Sequence, residues 1–432
     1  MRKMERRAII CILLAMLLVV GMGLFTYRLA VNGSDWASFY ANKHVYNDGK
    51  LAVGAVYDRN DLLLLENTSE GPIYNDDWGI RNSTLHVVGD SGQNISTAAT
   101  YAFRSQILGY NFVTGTHGSI FGKGRDLKLT IDARVSEKAF EALGNRNGFV
   151  GVYNWRTGEI ICMVSNPGYD PMYPAPENPE SGSFINKVIS TSATPGSIFK
   201  LVTAAAALDE IEGIQDWHFQ CTGSYDIEGE KITCPSVHGQ QDFADALANS
   251  CNCAFASLTV EMGTDVMEDA VKKFGLTKSY DINGIKTQAG SFNFDTYNIN
   301  LGWAGIGQFE DQVNPISMMV YVGAIAGGGE AAKPYILMDD DAGKVNLIDA
   351  GIAMQLDDMM RNNVISTYGD GNYPGLELRA KSGTAEGGDG RTPTAWFCGY
   401  SGDYAFIVCV ENGGYGAAVA GPIANSVLHT LR

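Results

Sequence analysis

The sequence predicts an α/β protein of the α+β type, in which helices pack on one antiparallel sheet, preceded by a membrane-spanning helix and a small mixed N-terminal domain. Three observations support this fold class. A long apolar run lies near the N-terminus, Ala-rich and amphipathic segments fill the middle, and β-like segments flank that helical block. Strands on both sides of a helical block, without β-α-β alternation, favour an antiparallel sheet covered by helices.

Composition limits the classes of protein to consider. A chain of 432 residues is long enough for two or three domains of roughly 150 residues each. Hydrophobic residues make up 45% and charged residues 18%, which is typical of a folded protein and not of a disordered one. The formal net charge of -17 would repel a phosphate backbone, so we expect no nucleic-acid partner.

The N-terminus predicts a membrane anchor. Four basic residues stand among the first seven, and residues 8–25 then carry no charge, a run long enough to cross a hydrocarbon core of about 30 Å. We predict a cytoplasmic segment at residues 1–7, an anchor at 8–28, and export of the remainder. A cleaved signal peptide is the alternative, but its apolar region is usually shorter and no small-residue cleavage site follows Phe25.

Two further domains follow from the pattern of short segments. Residues 29–140 contain β-like runs separated by Asn, Gly and Asp, which predict the small mixed domain. In the second domain, residues 141–432, two apolar runs around Arg156-Thr157-Gly158 predict a hairpin. Residues 199–208 predict a buried helix, and three late β-like segments, at 376–385, 394–401 and 404–412, predict successive strands.

The cysteines give no sign of a metal site. None of the eight cysteines forms a C-x-x-C pair and the six histidines are scattered, so we predict no metal and no cofactor. Cys221 and Cys234 could close a disulfide across a short hairpin in an exported domain. The spacing leaves the redox state of that pair open.

The most informative stretch begins at Ser190 and reads STSATPGSIFK. Ser197 follows Pro-Gly where the apolar helix begins, and Lys200 lies three residues later on the same helix face. A partly desolvated lysine there could take the serine proton as a general base. The plain alternative is a helix-capping serine beside a solvated lysine, and about one S-x-x-K is expected by chance in a chain this long.

Two further stretches supply polar residues, namely Ser250 and Asn252 in one, and Lys381, Ser382, Gly383 and Thr384 in the other. The first can project a hydroxyl and an amide into a cleft from the helical side. The second can close the opposite wall from a strand, where Gly383 leaves room for a substrate backbone. Each stretch alone has an ordinary structural explanation, but their occurrence together in this order by chance is roughly a few per cent.

S-x-x-K, then S-x-N, then K-[ST]-G resembles the motif set shared by penicillin-binding proteins and serine β-lactamases. The wider sequence is similar to a class B, or monofunctional, penicillin-binding protein, which has a single anchor, a small N-terminal domain and a C-terminal D,D-transpeptidase domain. Similar segments include RDLKLTIDA, TGEIICMVSNPGYDP, GIGQ and KSGTAE followed by AWFCGY. The resemblance runs from about residue 125 to the end.

The resemblance implies a role for each catalytic residue. Ser197 would attack the penultimate D-Ala carbonyl of a peptidoglycan stem peptide and form an acyl-enzyme. Lys200 would accept the serine proton, and Ser250 with Asn252 would relay it and hold the substrate amide. β-Lactams would acylate the same serine, and an amine of a neighbouring stem peptide would take the acyl group.

The resemblance also implies the substrate-binding wall and the partners. Lys381 would supply positive potential, and Ser382 and Thr384, on either side of Gly383, would bind the substrate carboxylate. The backbone N–H groups of Ser197 and Thr384 would form the oxyanion hole. A membrane-embedded glycosyltransferase would supply the glycan strands.

Other functions remain open at this stage. A D,D-carboxypeptidase differs only in accepting water, and a β-lactamase needs a carboxylate that positions water, which no motif identifies. A non-catalytic penicillin-binding scaffold would need a signalling domain larger than the seven residues predicted inside the cell. An α/β-hydrolase would need G-x-S-x-G and a usable His, so we interpret His238 and His429 as surface or structural residues.

Overall fold

A computed structural model describes residues 2–37, 54–68, 71–107, 126–338, 340–341, 343–387 and 390–432. By its contacts the chain divides into two units. The first comprises residues 1–56, 65–73 and 103–127, and the second comprises residues 57–64, 74–102 and 128–432. All the predicted site residues belong to the second unit.

The helices are α1 (Arg2–Ala37), α2 (Trp78–Ser83), α3 (Leu85–Val88), α4 (Ala99–Ala102), α5 (Arg104–Ile107), α6 (Ala133–Leu143), α7 (Lys187–Ser190), α8 (Lys200–Glu210), α9 (Phe243–Ala248), α10 (Asn252–Lys273), α11 (Asn298–Gly305), α12 (Pro315–Ala326), α13 (Ala350–Asn363) and α14 (Gly416–Thr430). Shorter 3₁₀ turns occupy Gly196–Phe199, Ile214–Asp216 and Asp370–Asn372, and one π-helical turn occupies Val364–Tyr368.

The strands are β1 (Val56–Tyr57), β2 (Leu63–Thr68), β3 (Gly71–Tyr74), β4 (Leu127–Lys128), β5 (Gly148–Asn154), β6 (Ile160–Asn166), β7 (His218–Cys221), β8 (Ser224–Ile227), β9 (Glu230–Thr233), β10 (Gly239–Asp242), β11 (Asp281–Ile282), β12 (Ile285–Lys286), β13 (Glu330–Ala332), β14 (Lys344–Asn346), β15 (Arg379–Gly387), β16 (Arg391–Ser401) and β17 (Tyr404–Val410).

Helix α1 is a candidate membrane span, as predicted. Its segment Lys3–Gly33 is long and apolar enough to cross a bilayer, and its apolar side chains are exposed. Four short strands, β1 to β4, belong to a small sheet in the N-terminal part. Residues 38–53, 69–70 and 108–125 of the predicted N-terminal domain lie outside the described residues. The predicted boundary at residue 140 stays a prediction.

The central sheet has the strand order β15-β16-β17-β5-β6, and every neighbouring pair is antiparallel. The hairpin predicted around Arg156 is β5 and β6, and the three predicted late strands are β15, β16 and β17. Chain segments from before and after the helical block therefore share one sheet. The predicted α+β fold class is confirmed.

Both faces of this sheet are covered by helices. On β5, Val150 and Val152 point to the face packed by α6 and α14, where they join one hydrophobic core. Gly151 lies between them and faces α12, so close that an added Cβ would stand 2.9 Å from Cε of Met319. Side chains alternate along a strand with a period of two, which is why a strand covered on both faces is apolar throughout.

The helical block next to the sheet holds the remaining site segments. Helix α8 is almost entirely buried, packs on α10, and accepts a 2.8 Å hydrogen bond at the Leu201 carbonyl from the Tyr321 hydroxyl of α12. Helix α12 begins cleanly because the Asn314 side chain caps it and Pro315 occupies its first turn. The end of α9 and the start of α10 meet α8 at its N-terminal end, where the site lies.

Candidate active site

Ser197 lies on a 3₁₀ turn, Gly196–Phe199, that leads into α8. The sequence predicted the first turn of an α-helix instead. The tighter turn follows from close packing, because Gly196 has φ of +56° and an added Cβ there would stand 2.8 Å from the Thr384 carbonyl oxygen. Ser197 is half-buried at this turn, whereas Lys200 is fully buried.

Lys200 points at Ser197 and at the segment between α9 and α10. Its Nζ lies 3.0 Å from Oγ of Ser197, 2.7 Å from the Ser250 carbonyl oxygen and 2.7 Å from Oδ1 of Asn252. Burial lowers the pKa of Lys200 to about 8 from its ordinary value of 10.5. A lysine with such a pKa is neutral in a useful fraction of molecules near neutral pH, as a general base must be.

Ser250 and Asn252 lie where α9 ends and α10 begins. Ser250 has φ of +52°, a left-handed conformation that costs a residue with a Cβ of the order of 1 kcal/mol. Asn252 is fixed at its other end, because its Nδ2 donates to the Thr233 carbonyl over 2.9 Å. The strained backbone turns both side chains toward Lys200.

Lys381 reaches the same place from strand β15. It is fully buried, and its Nζ donates to Oγ of Ser250 over 3.0 Å and to the Ser382 carbonyl over 2.9 Å. Burial, and then repulsion by the nearby Lys200, hold the pKa of Lys381 well below its usual range. The two lysines and Ser250 therefore form one continuous group.

Gly383 has a packing role that the sequence did not predict. An added Cβ would stand 2.9 Å from both Cγ2 of Ile198 and the Pro195 carbonyl oxygen. The missing side chain thus lets the turn that carries Ser197 pack against β15. Whether Gly383 also leaves room for a substrate stays a prediction.

Thr384 and Ser382 are held by residues that the sequence did not single out for a role. Gln308, in the GIGQ segment, donates from Nε2 to the Thr384 carbonyl over 3.0 Å. The Tyr368 hydroxyl accepts a 2.8 Å hydrogen bond from the Ser382 backbone N–H. The sequence drew attention to Gln308 only as part of the GIGQ segment in the family resemblance. It gave no indication of Tyr368, because the contact of Tyr368 with Ser382 depends on tertiary packing.

The structure brings all eight predicted site residues together, namely Ser197, Lys200, Ser250, Asn252, Lys381, Ser382, Gly383 and Thr384. Hydrogen bonds join Ser197 through Lys200 to Ser250, and Ser250 to Lys381. The hydrogen bonds of both lysines go to hydroxyl and carbonyl oxygens, and among the described residues neither lysine pairs with a carboxylate. The arrangement can remove a proton from Ser197 and pass it along a chain of polar groups.

All eight cysteines are free, and three of them gather with a histidine. Cys221 and Cys234 are free, so the disulfide considered for them is not formed in the structure. Their thiols instead gather with the His238 imidazole and the Cys251 thiol, and the four candidate ligand atoms all lie within 4.8 Å of one another. Ligand spacing in the sequence did not reveal this group, because its members come from separate elements and not from one local motif. The prediction of no bound metal stays a prediction.

Comparison with known proteins places the chain in a family. Residues 148–429 match the family model described as the penicillin binding protein transpeptidase domain. The chain is 26% identical over 355 residues to the peptidoglycan D,D-transpeptidase PbpA of Mycobacterium tuberculosis, covering 71% of this chain and 72% of that protein.

Solved structures share the fold. The penicillin G acyl-enzyme complex of penicillin-binding protein A from M. tuberculosis has a TM-score of 0.75 at 23% identity, covering 89% of this chain and 100% of that one. The D,D-transpeptidase domain of a peptidoglycan glycosyltransferase from Eggerthella lenta has a TM-score of 0.76 at 23% identity, covering 88% and 97%. As its motifs predicted, the chain belongs to the penicillin-binding protein transpeptidase family, within the monofunctional class B.

Proposed function

We propose that this protein is a peptidoglycan D,D-transpeptidase that cross-links stem peptides through an acyl-enzyme on Ser197. The observation that carries the proposal is the placement of Nζ of Lys200, 3.0 Å from Oγ of Ser197, in a buried position that lowers its pKa to about 8. A nucleophile within hydrogen-bond reach of a tuned base is the arrangement that acyl transfer needs.

The contacts of Lys200 favour its role as the base. A neutral amine has two N–H groups and one lone pair. The Ser250 carbonyl and Oδ1 of Asn252, both at 2.7 Å, accept the two N–H groups. The lone pair then faces the Ser197 hydroxyl, which donates its proton to Nζ as Oγ attacks the carbonyl carbon of the penultimate D-Ala.

Ser250 supports the transfer of this proton to the leaving group. Its Oγ lies 3.3 Å from Nζ of Lys200 and 3.0 Å from Nζ of Lys381. The hydroxyl can pass a proton to the amine nitrogen of the departing D-Ala and recover one from Lys200. The C–N bond breaks, D-Ala leaves as a neutral amine, and an ester to Ser197 remains.

The strand β15 provides the wall that binds the substrate. Lys381 gives positive potential, and the hydroxyls of Ser382 and Thr384 bind the terminal carboxylate. The backbone N–H groups of Ser197 and Thr384 stabilise the oxyanion, an interaction worth about 3 kcal/mol per donor in comparable acyl transfers. Support for this role is the rigid placement of the Thr384 peptide, whose carbonyl is bonded by Gln308 and packed against Gly196.

In the second step the acyl group is transferred from Ser197 to an amine. An amino group of a neighbouring stem peptide attacks the ester carbonyl, gives its proton back through Lys200, and releases Ser197. A β-lactamase would instead need a carboxylate to activate water, and the hydrogen-bond partners of Lys200 are hydroxyl and carbonyl oxygens. That pattern supports a long-lived acyl-enzyme, which an amine then resolves.

The N-terminal helix supports a membrane arrangement for this enzyme. Basic residues precede the apolar part of α1, which favours a cytoplasmic N-terminus and an extracytoplasmic catalytic domain. Monofunctional enzymes of this family do not polymerise glycan. A membrane-embedded glycosyltransferase is therefore the partner that supplies the strands.

Mass spectrometry after incubation with penicillin G tests the proposal. We expect the intact mass to rise by one penicillin, with the adduct on the peptide that contains Ser197. Ser197→Ala should lose the adduct, and Ser181→Ala, a change at an exposed serine, should keep it. An unchanged wild-type mass, or an adduct that persists in Ser197→Ala, would overturn the proposal.

An assay with a donor stem pentapeptide and an added D-amino acid distinguishes transfer to an amine from transfer to water. A transpeptidase transfers the acyl group to the amine, so the exchanged peptide should accumulate. Release of D-Ala with no exchanged peptide would identify a carboxypeptidase instead.

A further inference from the structure

Three cysteines and one histidine converge beside the segment that carries Ser250 and Asn252. Cys221 ends β7, Cys234 follows β9, His238 precedes β10, and Cys251 caps the N-terminus of α10. We infer that these four side chains form a structural zinc site.

Two of the distances between candidate ligand atoms match the edges of a zinc tetrahedron, and all four atoms lie within 4.8 Å of one another. Zn–S bonds of about 2.3 Å and Zn–N bonds of about 2.05 Å give tetrahedral edges of about 3.8 Å between two sulfurs and about 3.6 Å between sulfur and nitrogen. The structure has 3.6 Å between the sulfurs of Cys234 and Cys251, and 3.5 Å between Sγ of Cys221 and Nδ1 of His238. A disulfide would need about 2.05 Å between two sulfurs.

The surrounding backbone is suited to thiolates. The N–H of Ala254 donates to Sγ of Cys251 over 3.4 Å, and the N–H of Cys253 donates to Sγ of Cys234 over 3.4 Å. Both donors lie at the N-terminus of α10, where the helix dipole favours negative charge. Hydrogen bonds of this kind orient metal ligands and tune their basicity.

The contacts of His238 allow the tautomer that a metal requires. Its Nε2 lies 3.2 Å from Oγ of Ser236, while Nδ1 faces the sulfur of Cys221. With the proton on Nε2, which donates to the serine hydroxyl, the lone pair of Nδ1 is directed into the cluster. A second ring nitrogen bonded in this way is the usual support of a zinc-bound histidine.

The donor set selects the metal and the type of site. Three thiolates and one imidazole suit zinc, whereas magnesium and calcium need oxygen ligands. Four protein ligands close the tetrahedron, so the site is structural and leaves no open position for a catalytic water.

Cys253 is the fifth sulfur nearby and provides a matched control. Its Sγ lies 3.4 Å from that of Cys234, but its thiol donates to the Ile232 carbonyl over 3.6 Å. We therefore assign Cys253 to the surroundings of the site and not to the ligands. Cys253→Ser keeps a group that can donate to the same carbonyl.

The site would brace the strained segment of the active site. Cys251 stands between Ser250, with its φ of +52°, and Asn252, which also bonds the Thr233 carbonyl one residue before Cys234. Zinc would tie the end of β9 to the start of α10 on both sides of that contact. This consequence rests on the proposed function, whereas zinc binding itself does not.

Zinc content of the full chain tests the assignment. The protein is purified in detergent with a thiol reductant and no chelator, incubated with Zn²⁺, dialysed, and analysed by elemental mass spectrometry. We expect about one zinc per chain in the wild type and in Cys253→Ser, and less than about a tenth of that in Cys221→Ser and His238→Ala. A zinc-free wild type, or equal loss in Cys253→Ser and Cys221→Ser, would overturn the assignment.

Thiol reactivity of the wild type gives an answer that does not depend on how the variants fold. Cys234 is only half-buried, so it should react with a maleimide after a strong chelator has removed the metal, and be protected in the zinc-loaded protein. Equal labelling in both samples, or a disulfide between Cys234 and Cys251 in the reduced preparation, would contradict the site. Penicillin labelling of the same samples reports separately on the proposed function.

Discussion

Lys200 and Lys381 contact the same oxygen atom, because Oγ of Ser250 lies 3.3 Å from one Nζ and 3.0 Å from the other. Both lysines are fully buried, and burial lowers the pKa of each. Two ammonium groups that share one hydroxyl in a desolvated site repel each other, so the pair loses a proton more readily than an isolated lysine. The chemistry of the site therefore depends on which of the two lysines is neutral after the pair has lost one proton.

The rate of acylation by penicillin should rise with pH and level off above about pH 8. The base form of Lys200 lacks the proton, and with a pKa of about 8 its population falls about tenfold for each pH unit below that value. The second-order rate constant, measured from acyl-enzyme formation across this range, should show the inflection. It reports an apparent value for the lysine pair.

Lys200→Ala should slow acylation by roughly 10²- to 10⁴-fold and remove this inflection, since the variant has no base to titrate. Lys333→Ala changes an exposed lysine and should keep both the rate and the profile. An unchanged profile in Lys200→Ala would assign the titration to another group.

Gly383→Ala should disturb the nucleophile without unfolding the protein. The new methyl group would lie 2.9 Å from Cγ2 of Ile198 and from the Pro195 carbonyl, so the turn carrying Ser197 must shift away from β15. A displacement of about 1 Å lowers the rate of a reaction that depends on orientation by roughly 10²-fold. Acylation rate and circular dichroism, measured on the same preparation, check the two parts of the prediction.

Gly371→Ala is the matched control, because the same methyl group would meet open space there. We expect wild-type acylation from it. If Gly383→Ala also acylated at the wild-type rate, the close packing of turn and strand would not be needed for catalysis.

Most residues of this site could be predicted from the sequence, but only from local motifs. Spacing within one element predicted that Ser197 would meet Lys200, and alternation of apolar residues predicted the strands that hold Lys381. The sequence did not reveal the proposed zinc ligands, because Cys221 and His238 meet through the pairing of β7 with β10, where Cys221 is opposite Gly239. Ligand spacing in sequence detects sites built on one turn or hairpin, and long-range strand pairing is invisible to it.

The left-handed backbone conformation of Ser250 could not be predicted for a related reason. Nothing in the residue type favours a positive φ, since serine has a Cβ and no strong tendency toward that region. The conformation is imposed by the contacts around it, including the 2.7 Å hydrogen bond between the Ser250 carbonyl and Lys200. Strain of this kind becomes visible only when the tertiary structure is known.

His86 should make the folded protein less stable in mild acid. It is buried in α3, where its Nε2–H donates to the Ser183 carbonyl over 2.9 Å, and burial lowers its pKa to about 4 from 6.5. In the unfolded chain His86 therefore binds a proton below about pH 6.5, whereas in the folded chain it binds one only below about pH 4. Stability is fully present above pH 6.5 and is lost as the pH falls through that window.

The expected loss from His86 alone at pH 5 is about 2 kcal/mol, from the 1.36 kcal/mol that each pH unit below 6.5 contributes. Urea unfolding of the full chain at pH 7 and pH 5, followed by tryptophan fluorescence, measures it. In His86→Gln, which has no titrating group but keeps an N–H donor for Ser183, the difference between the two pH values should shrink by that amount. Equal pH dependence in the wild type and in His86→Gln would mean that His86 is protonated as easily in the folded state as in the unfolded chain.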